Sequence, residues 1–425
     1  MAKFKRVPLD SVVAGSVLNA PIADPANSGV KLLTAGIPIT EEFIQKLRSR
    51  GISEVVISQR DLATMHAFNS RGRARQVPAA PTYVQSILVN DATKNIDQQV
   101  HDGRPMSFGE ITEPLSAVIQ RPTDCVYPTG LQQEWAGSQD TQIDAIGSFY
   151  EDTDERGSSV ATLRETCESI LKRIGDDLDA LVCLAGSPAE SEYPSRHSIH
   201  LASMAMAIGV ESDLDHAHLI DLGMGCLIHD IGMQQVGITQ FQSKQKITNT
   251  ALQKLADHPV LSIQVAAKFG SELSDHAKMV AYQIHERLDG SGYPRGRKAD
   301  QIHQLAKIAA VADVFVALTA PRPHRLGIQG YYAIKQILED VKMGKLDPHA
   351  VRSLLQATSL FPIGSFVELT NDHIGRVIRT GGSNFDKPTI EMWAADGLDG
   401  KPTVINLKNE TSIQIRAAIA SPKVA

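Results

Sequence analysis

The 425-residue sequence is poor in the features that staple a chain or anchor it. It has four cysteines, Cys125, Cys167, Cys183 and Cys226, and no CxxC pair among them. This is the pattern of a reducing compartment rather than a disulfide framework. Basic charge is not in excess, since 42 Lys and Arg stand against 48 Asp and Glu for a formal charge of -6. A polymer of nucleic acid, which needs a concentrated basic surface, is therefore not an expected partner. Long apolar runs are also missing. The most apolar stretch, Ile308 to Ala320, is too short for a membrane span and is interrupted by Asp313. The basic start MAKFKR leads into a mixed segment, so no signal peptide is expected there. The expectation is a cytoplasmic, soluble protein with no membrane association.

What is present is enough apolar residue, 42%, to build a sizeable core, in a chain long enough for two or three domains. Residues 1–59 read as a small α/β accessory domain. Within it VPLDSVVAGSVLNAPIAD, VKLLTAGIPI and SEVVIS are short strands, and Thr40 caps a helix over 41–50 that Gly51 ends. Over 60–154 the periodicity fades and Gln, Pro, Ser, Thr and Gly accumulate, which reads as a partly ordered linker with one or two short helices. From Val160 the apolar residues Leu163, Cys167, Ile170, Leu171, Ile174 and Leu178 recur at helical spacing. They open the main domain, 155–357, an all-α helical bundle. The remainder, 358–425, alternates short β-type runs such as FVELTN, IGRVIRT and TIEMWA with turn residues, and reads as a small β-rich domain.

Chemistry-bearing residues gather in the helical part. His197, the adjacent pair His229 and Asp230, His258, His285 and Asp313 are all of types that bind divalent metal, and a bundle can bring their separate helices together. Taken singly each histidine has a plain structural reading: His197 shares a helix face with His200, and His258 before Pro259 suits a helix N-terminus. Asp313 does not, because IAAVADVFVAL surrounds it with apolar residues, and a buried carboxylate needs a partner or a metal. An adjacent His-Asp pair can offer one imidazole nitrogen while the carboxylate bridges two cations.

The order His197, His229-Asp230, Asp313 resembles the H...HD...D signature of HD-domain phosphohydrolases. HERLDGSGYP followed by DVFVALTAPRPHR is similar to the HD-GYP pattern HHExxDGxGYP and DVFDALTxxRPY, and the likeness covers about residues 190 to 350. The resemblance implies a bacterial signalling phosphodiesterase for cyclic di-GMP or a related cyclic dinucleotide, with iron or manganese as cofactor. It implies His229 and Asp230 as catalytic, and His197, His229, Asp230, His258, His285 and Asp313 as metal ligands. Gly290, Gly292, Tyr293 and Pro294 would form the loop beside the ligand, and Arg322 and Arg325 would hold phosphate or guanine. A signalling protein docking near Tyr293 and a homodimer are open options.

Three positions depart from that pattern. Ile284 stands where a first histidine of HHE is found, Met233 ends the HDIG stretch in place of lysine, and Val316 replaces an aspartate. Tyr193, one helical turn before His197, offers no carboxylate. One or two ions are then expected. Two readings follow: a phosphodiesterase of reduced activity, or a receptor or scaffold that keeps the recognition loop without the cut.

Overall fold

The computed structural model describes residues 4–9, 12, 22–25, 31–33, 39, 41–58, 85–103, 106–119, 121–122, 129–151, 159–185, 193–236, 249–320, 327–393 and 400–419. The chain forms two compact units, Met1–Thr82 and Tyr83–Ala425. In the first, β1 (Phe4–Pro8), β2 (Ile22–Ala23), β3 (Lys31–Leu33) and β4 (Glu54–Ser58) make an antiparallel sheet in the order β1-β4-β2-β3. One helix, α1 (Glu41–Ser49), joins the sheet through Ile44 and Leu47, which share a core with Val7, Ile22, Val55 and Ile57. The capping assigned to Thr40 lies outside the described residues.

The second unit is helical up to residue 358. Its elements are α2 (Asp91–His101), α3 (Thr129–Glu151), α4 (Val160–Ala185), α5 (Ser195–Val210), α6 (His216–Ile228), the single turn α7 (Met233–Val236), α8 (Asn249–Ala266), α9 (Asp275–Gln283), α10 (Gln304–Thr319), α11 (Gly330–Lys342) and α12 (Pro348–Thr358). The stretch that reads as a linker contributes two of these helices. α3 runs for 23 residues and buries Trp135, Ile143, Ile146, Phe149 and Tyr150 in the main core. Gln139 is buried on the same helix and interrupts its apolar spacing, which is why the period fades there.

Five antiparallel strands close the chain, β5 (Phe366–Leu369), β6 (Ile374–Arg379), β7 (Thr389–Trp393), β8 (Thr403–Asn406) and β9 (Ile415–Ile419), in the order β8-β7-β6-β5-β9. Their core is Val367, Leu369, Val377 and Ile390 with Phe361. The sheet is tied to the bundle by charge. α4 breaks at Asp177 (φ −165°, ψ 98°), where the carboxylate accepts the Ala180 N–H and both oxygens accept from Arg379 Nη1 at 2.7 Å. Thr380 beside it donates its hydroxyl and N–H to Asp179 at 2.6 and 2.9 Å.

Candidate metal centre

Five elements deliver the six predicted ligands to one place. His197 comes from the first turns of α5, His229 and Asp230 from the end of α6, His258 from α8, His285 from just past α9, and Asp313 from mid-α10. Two sets of three have donor atoms within 4.8 Å of one another: His197, His229 and Asp313, and His229, Asp230 and His285. His258 joins them through Nε2, which lies 3.3 Å from Asp230 Oδ1. Asp313 Oδ1 is 3.4 Å from His197 Nε2, and its Oδ2 is 3.3 Å from His285 Nδ1.

Local backbone chemistry decides which ring nitrogen faces the centre. At the end of α6 the last carbonyls lack helical partners, and Cys226 O accepts the His229 Nδ1–H at 2.7 Å. Contrary to the helix-start expectation for His258, α8 continues through Pro259. A proline has no N–H for the carbonyl four residues back. Here that is Leu255, and its oxygen accepts the His258 Nδ1–H at 2.6 Å instead. In both histidines Nε2 is thereby turned inward as the donor. His285 Nε2 lies 3.1 Å from His258 Nε2.

The turn that carries the His-Asp pair is held by Ser262, whose hydroxyl donates to His229 O at 2.6 Å and accepts the Gly232 N–H at 2.9 Å. Gly232 is required by that closeness, since a Cβ there would lie 2.4 Å from His258 O. Asp230 Oδ2 accepts the Tyr193 hydroxyl at 2.8 Å. Sequence reasoning marked Tyr193 only as a lost carboxylate. Its position one turn before His197 was the available signal that it faces the centre.

Electrostatics call for a cation here. His229 is 0% exposed, and its Nε2 has no hydrogen-bond partner. Burial opposes charge on this ring, but Asp230 and then Asp313 outweigh burial and raise its pKa. Burial would likewise raise both carboxyls, and the surrounding histidines carry them well below the usual carboxylate range. His258 is pushed down to about 3, chiefly by burial. Two ionised carboxylates among imidazoles, one of them with an orphaned buried nitrogen, fit a divalent metal ion.

The glycine-rich loop stands against this centre. Tyr293 is 5% exposed, its ring stacked on His285 at 4.8 Å between centroids and its N–H on His285 O. Gly292 packs so closely that a Cβ would meet Glu286 and Arg287 backbone within 2.5 Å. Gly290 makes the turn with φ +83°, and Pro294 O accepts from Ser86 N. Glu286 fastens the return of the loop by accepting the N–H groups of Arg295 and Arg297 at 2.8 and 2.9 Å. Asp97, on α2, pairs with both arginines and accepts the Tyr282 hydroxyl, a support that no sequence signal announced. Arg322 and Arg325 lie outside the described residues. The three departures are all interior: Ile284, Met233 and Val316 are buried, Ile284 and Val316 within the apolar core of the bundle.

The HD domain family matches residues 184–350. The chain is 28% identical over 215 residues to a cyclic di-GMP phosphodiesterase of Pseudomonas aeruginosa, covering 51% of each chain. It is 24% identical over 224 residues to the cyclic di-GMP phosphodiesterase PdeB of Borreliella burgdorferi, covering 53% of this chain and 57% of that one. It is 31% identical over 174 residues to the 3'3'-cGAMP-specific phosphodiesterase 3 of Vibrio cholerae, covering 41% and 37%. The chain thus spans about half the length, or less, of the curated relatives it matches. The span that matches the HD domain family, residues 184–350, holds both the histidine and aspartate centre and the DGSGYP loop.

Proposed function

We propose that this chain is a metal-dependent phosphodiesterase that hydrolyses cyclic di-GMP or a related cyclic dinucleotide, with turnover reduced by its missing donors. The observation that carries the reading is the buried Nε2 of His229, which has no hydrogen-bond partner and stands 3.3 Å from Asp230 Oδ1 in a group with His197 and Asp313. His197, His229, Asp230, His258, His285 and Asp313 would hold one or two ions, and iron or manganese suits such a mixed nitrogen and oxygen set. When bound, the ion supplies Lewis-acid stabilisation of a phosphoryl group and activation of water. Tyr193 and Ser262 orient the ligands, and Tyr293 packs the His285 ring in place. Gly290, Gly292, Tyr293 and Pro294 would border the nucleotide, and Arg322 and Arg325 would receive its phosphates. The substrate class follows the names of the relatives.

Reduced turnover follows from Met233, whose buried thioether supplies no cation for a phosphoryl oxygen, and from Ile284, which supplies no imidazole. The receptor reading draws on those same two residues. The test is cyclic di-GMP turnover by protein loaded anaerobically with iron or manganese, alongside Asp230→Ala. Slow product formation that falls at least about 100-fold in the variant supports the enzyme. Ligand bound and left uncut assigns the receptor.

A further inference from the structure

We propose that the segment from Ser86 to Asp97 is a strap that positions Tyr293 against the metal centre, with Asp97 as its positioning residue. The inference rests on the metal-centre reading above, though not on any substrate.

The strap lies outside the HD match at residues 184–350 and begins four residues after the first unit ends at Thr82. Residues 86–90 have no regular structure, yet they are fixed to the glycine-rich loop and to α8 along their length. The Ser86 N–H donates to Pro294 O at 2.9 Å, and the Arg295 guanidinium donates back to Ser86 O at 2.9 Å and to Leu88 O at 3.0 Å. The Ser86 hydroxyl donates to Asp257 and the Asn90 amide to Val260 O, one on each side of His258 in the chain. Asn90 then caps α2 by accepting the Thr93 N–H at 2.9 Å, and Ile96 seats that helix in the main core. The seating delivers Asp97 to the return of the loop.

Charge makes Asp97 the controlling contact. Arg295 and Arg297 leave the loop two residues apart, and both reach the Tyr282 ring, at 5.9 and 5.2 Å from its centroid. Two guanidiniums against one ring repel each other unless a carboxylate joins them, and Arg297, 6% exposed, has little water to screen it. Among the described residues Asp97 is the one carboxylate whose oxygens pair with these guanidiniums, Oδ2 with Arg295 Nε at 3.1 Å and Oδ1 with Arg297 Nη2. The backbone N–H groups of the same two arginines are held by Glu286, next to His285. Tyr293 sits two residues before this double clamp. Its ring is stacked on His285 and edge-on to His258, 5.9 Å between centroids, so a shift of the loop return moves the surface that holds two imidazoles of the centre.

The test is hydrogen exchange at the Tyr293 amide, which bonds His285 O, in the ion-free full chain, together with Mn2+ affinity by equilibrium dialysis on the same variants. Asp97→Asn keeps the shape and removes the charge. It is expected to speed exchange at Tyr293 at least about 10-fold and to weaken Mn2+ binding about 10-fold, while amides of α5 stay at their wild-type rates. Asp97→Glu is expected to restore most of both effects, which a general loss of stability would not allow. Unchanged exchange at Tyr293, equal acceleration throughout α5, or a loosened loop with wild-type Mn2+ affinity would each overturn the proposal. If Asp97→Asn does not fold, Arg295→Lys keeps a cation for Asp97 and loses the fork to Ser86 O and Leu88 O, and the same two measurements decide. Failure of wild type to bind Mn2+ would overturn the metal-centre reading, while exchange at Tyr293 would still decide whether the strap positions the loop.

Discussion

Two histidines outside the metal centre each bury a ring Nε2 without a hydrogen-bond partner, His200 on α5 and His303 at the N-cap of α10. His303 Nδ1 accepts the Leu305 N–H at 3.2 Å, so its hydrogen sits on the unpartnered nitrogen. Burial, ahead of neighbouring positive groups, pulls both pKa values down to about 4. The folded protein then keeps both rings neutral to about pH 4, whereas the unfolded chain takes up protons below its ordinary value near 6.5. More protons on the unfolded state means that stability declines as pH falls through that window. Each ring accounts for about 3 kcal/mol of loss by pH 4, taking 1.4 kcal/mol as the approximate cost of one pKa unit. Urea unfolding followed between pH 7 and 4 should show the decline, and His303→Phe should remove about half of it, leaving the share of His200.

At the scale of elements, the C-terminal sheet reaches the bundle through the break in α4. Arg379 is 1% exposed and meets Asp177 with two hydrogen bonds, so removing one partner strands a buried charge. Arg379→Ala should cost about 3–5 kcal/mol in urea unfolding, while Arg379→Met combined with Asp177→Asn should recover much of the loss. The helical spacing from Val160, the β runs after residue 365 and the His-Asp pair were all legible, because each is a local pattern that a single segment carries. α3 was not, since buried Gln139 disguises its apolar face. Nor was the grip of Asp97 on Arg295 and Arg297, because a pairing across about two hundred residues leaves no periodicity to read. The six candidate ligands could be picked out by residue type, but which ring nitrogen of His229 and His258 faces the centre depends on carbonyls that only the folded chain exposes.

For the whole molecule, the division into Met1–Thr82 and Tyr83–Ala425, with separate apolar clusters around Val55 and around the bundle, predicts two transitions in calorimetry. Added Mn2+ should move only the larger one, because ligand binding stabilises the unit that holds the site. Among the described residues no helix is long and apolar enough to cross a membrane. The imidazoles that the larger unit gathers are oriented by the fold itself, and Pro259 shows how. By leaving Leu255 O without its helical donor, the chain gives up local regularity at one peptide and receives in return an imidazole whose hydrogen is already on the far side. Robustness of the helix and readiness of the ligand are opposed at that position, so a residue that mends the former would blunt the latter.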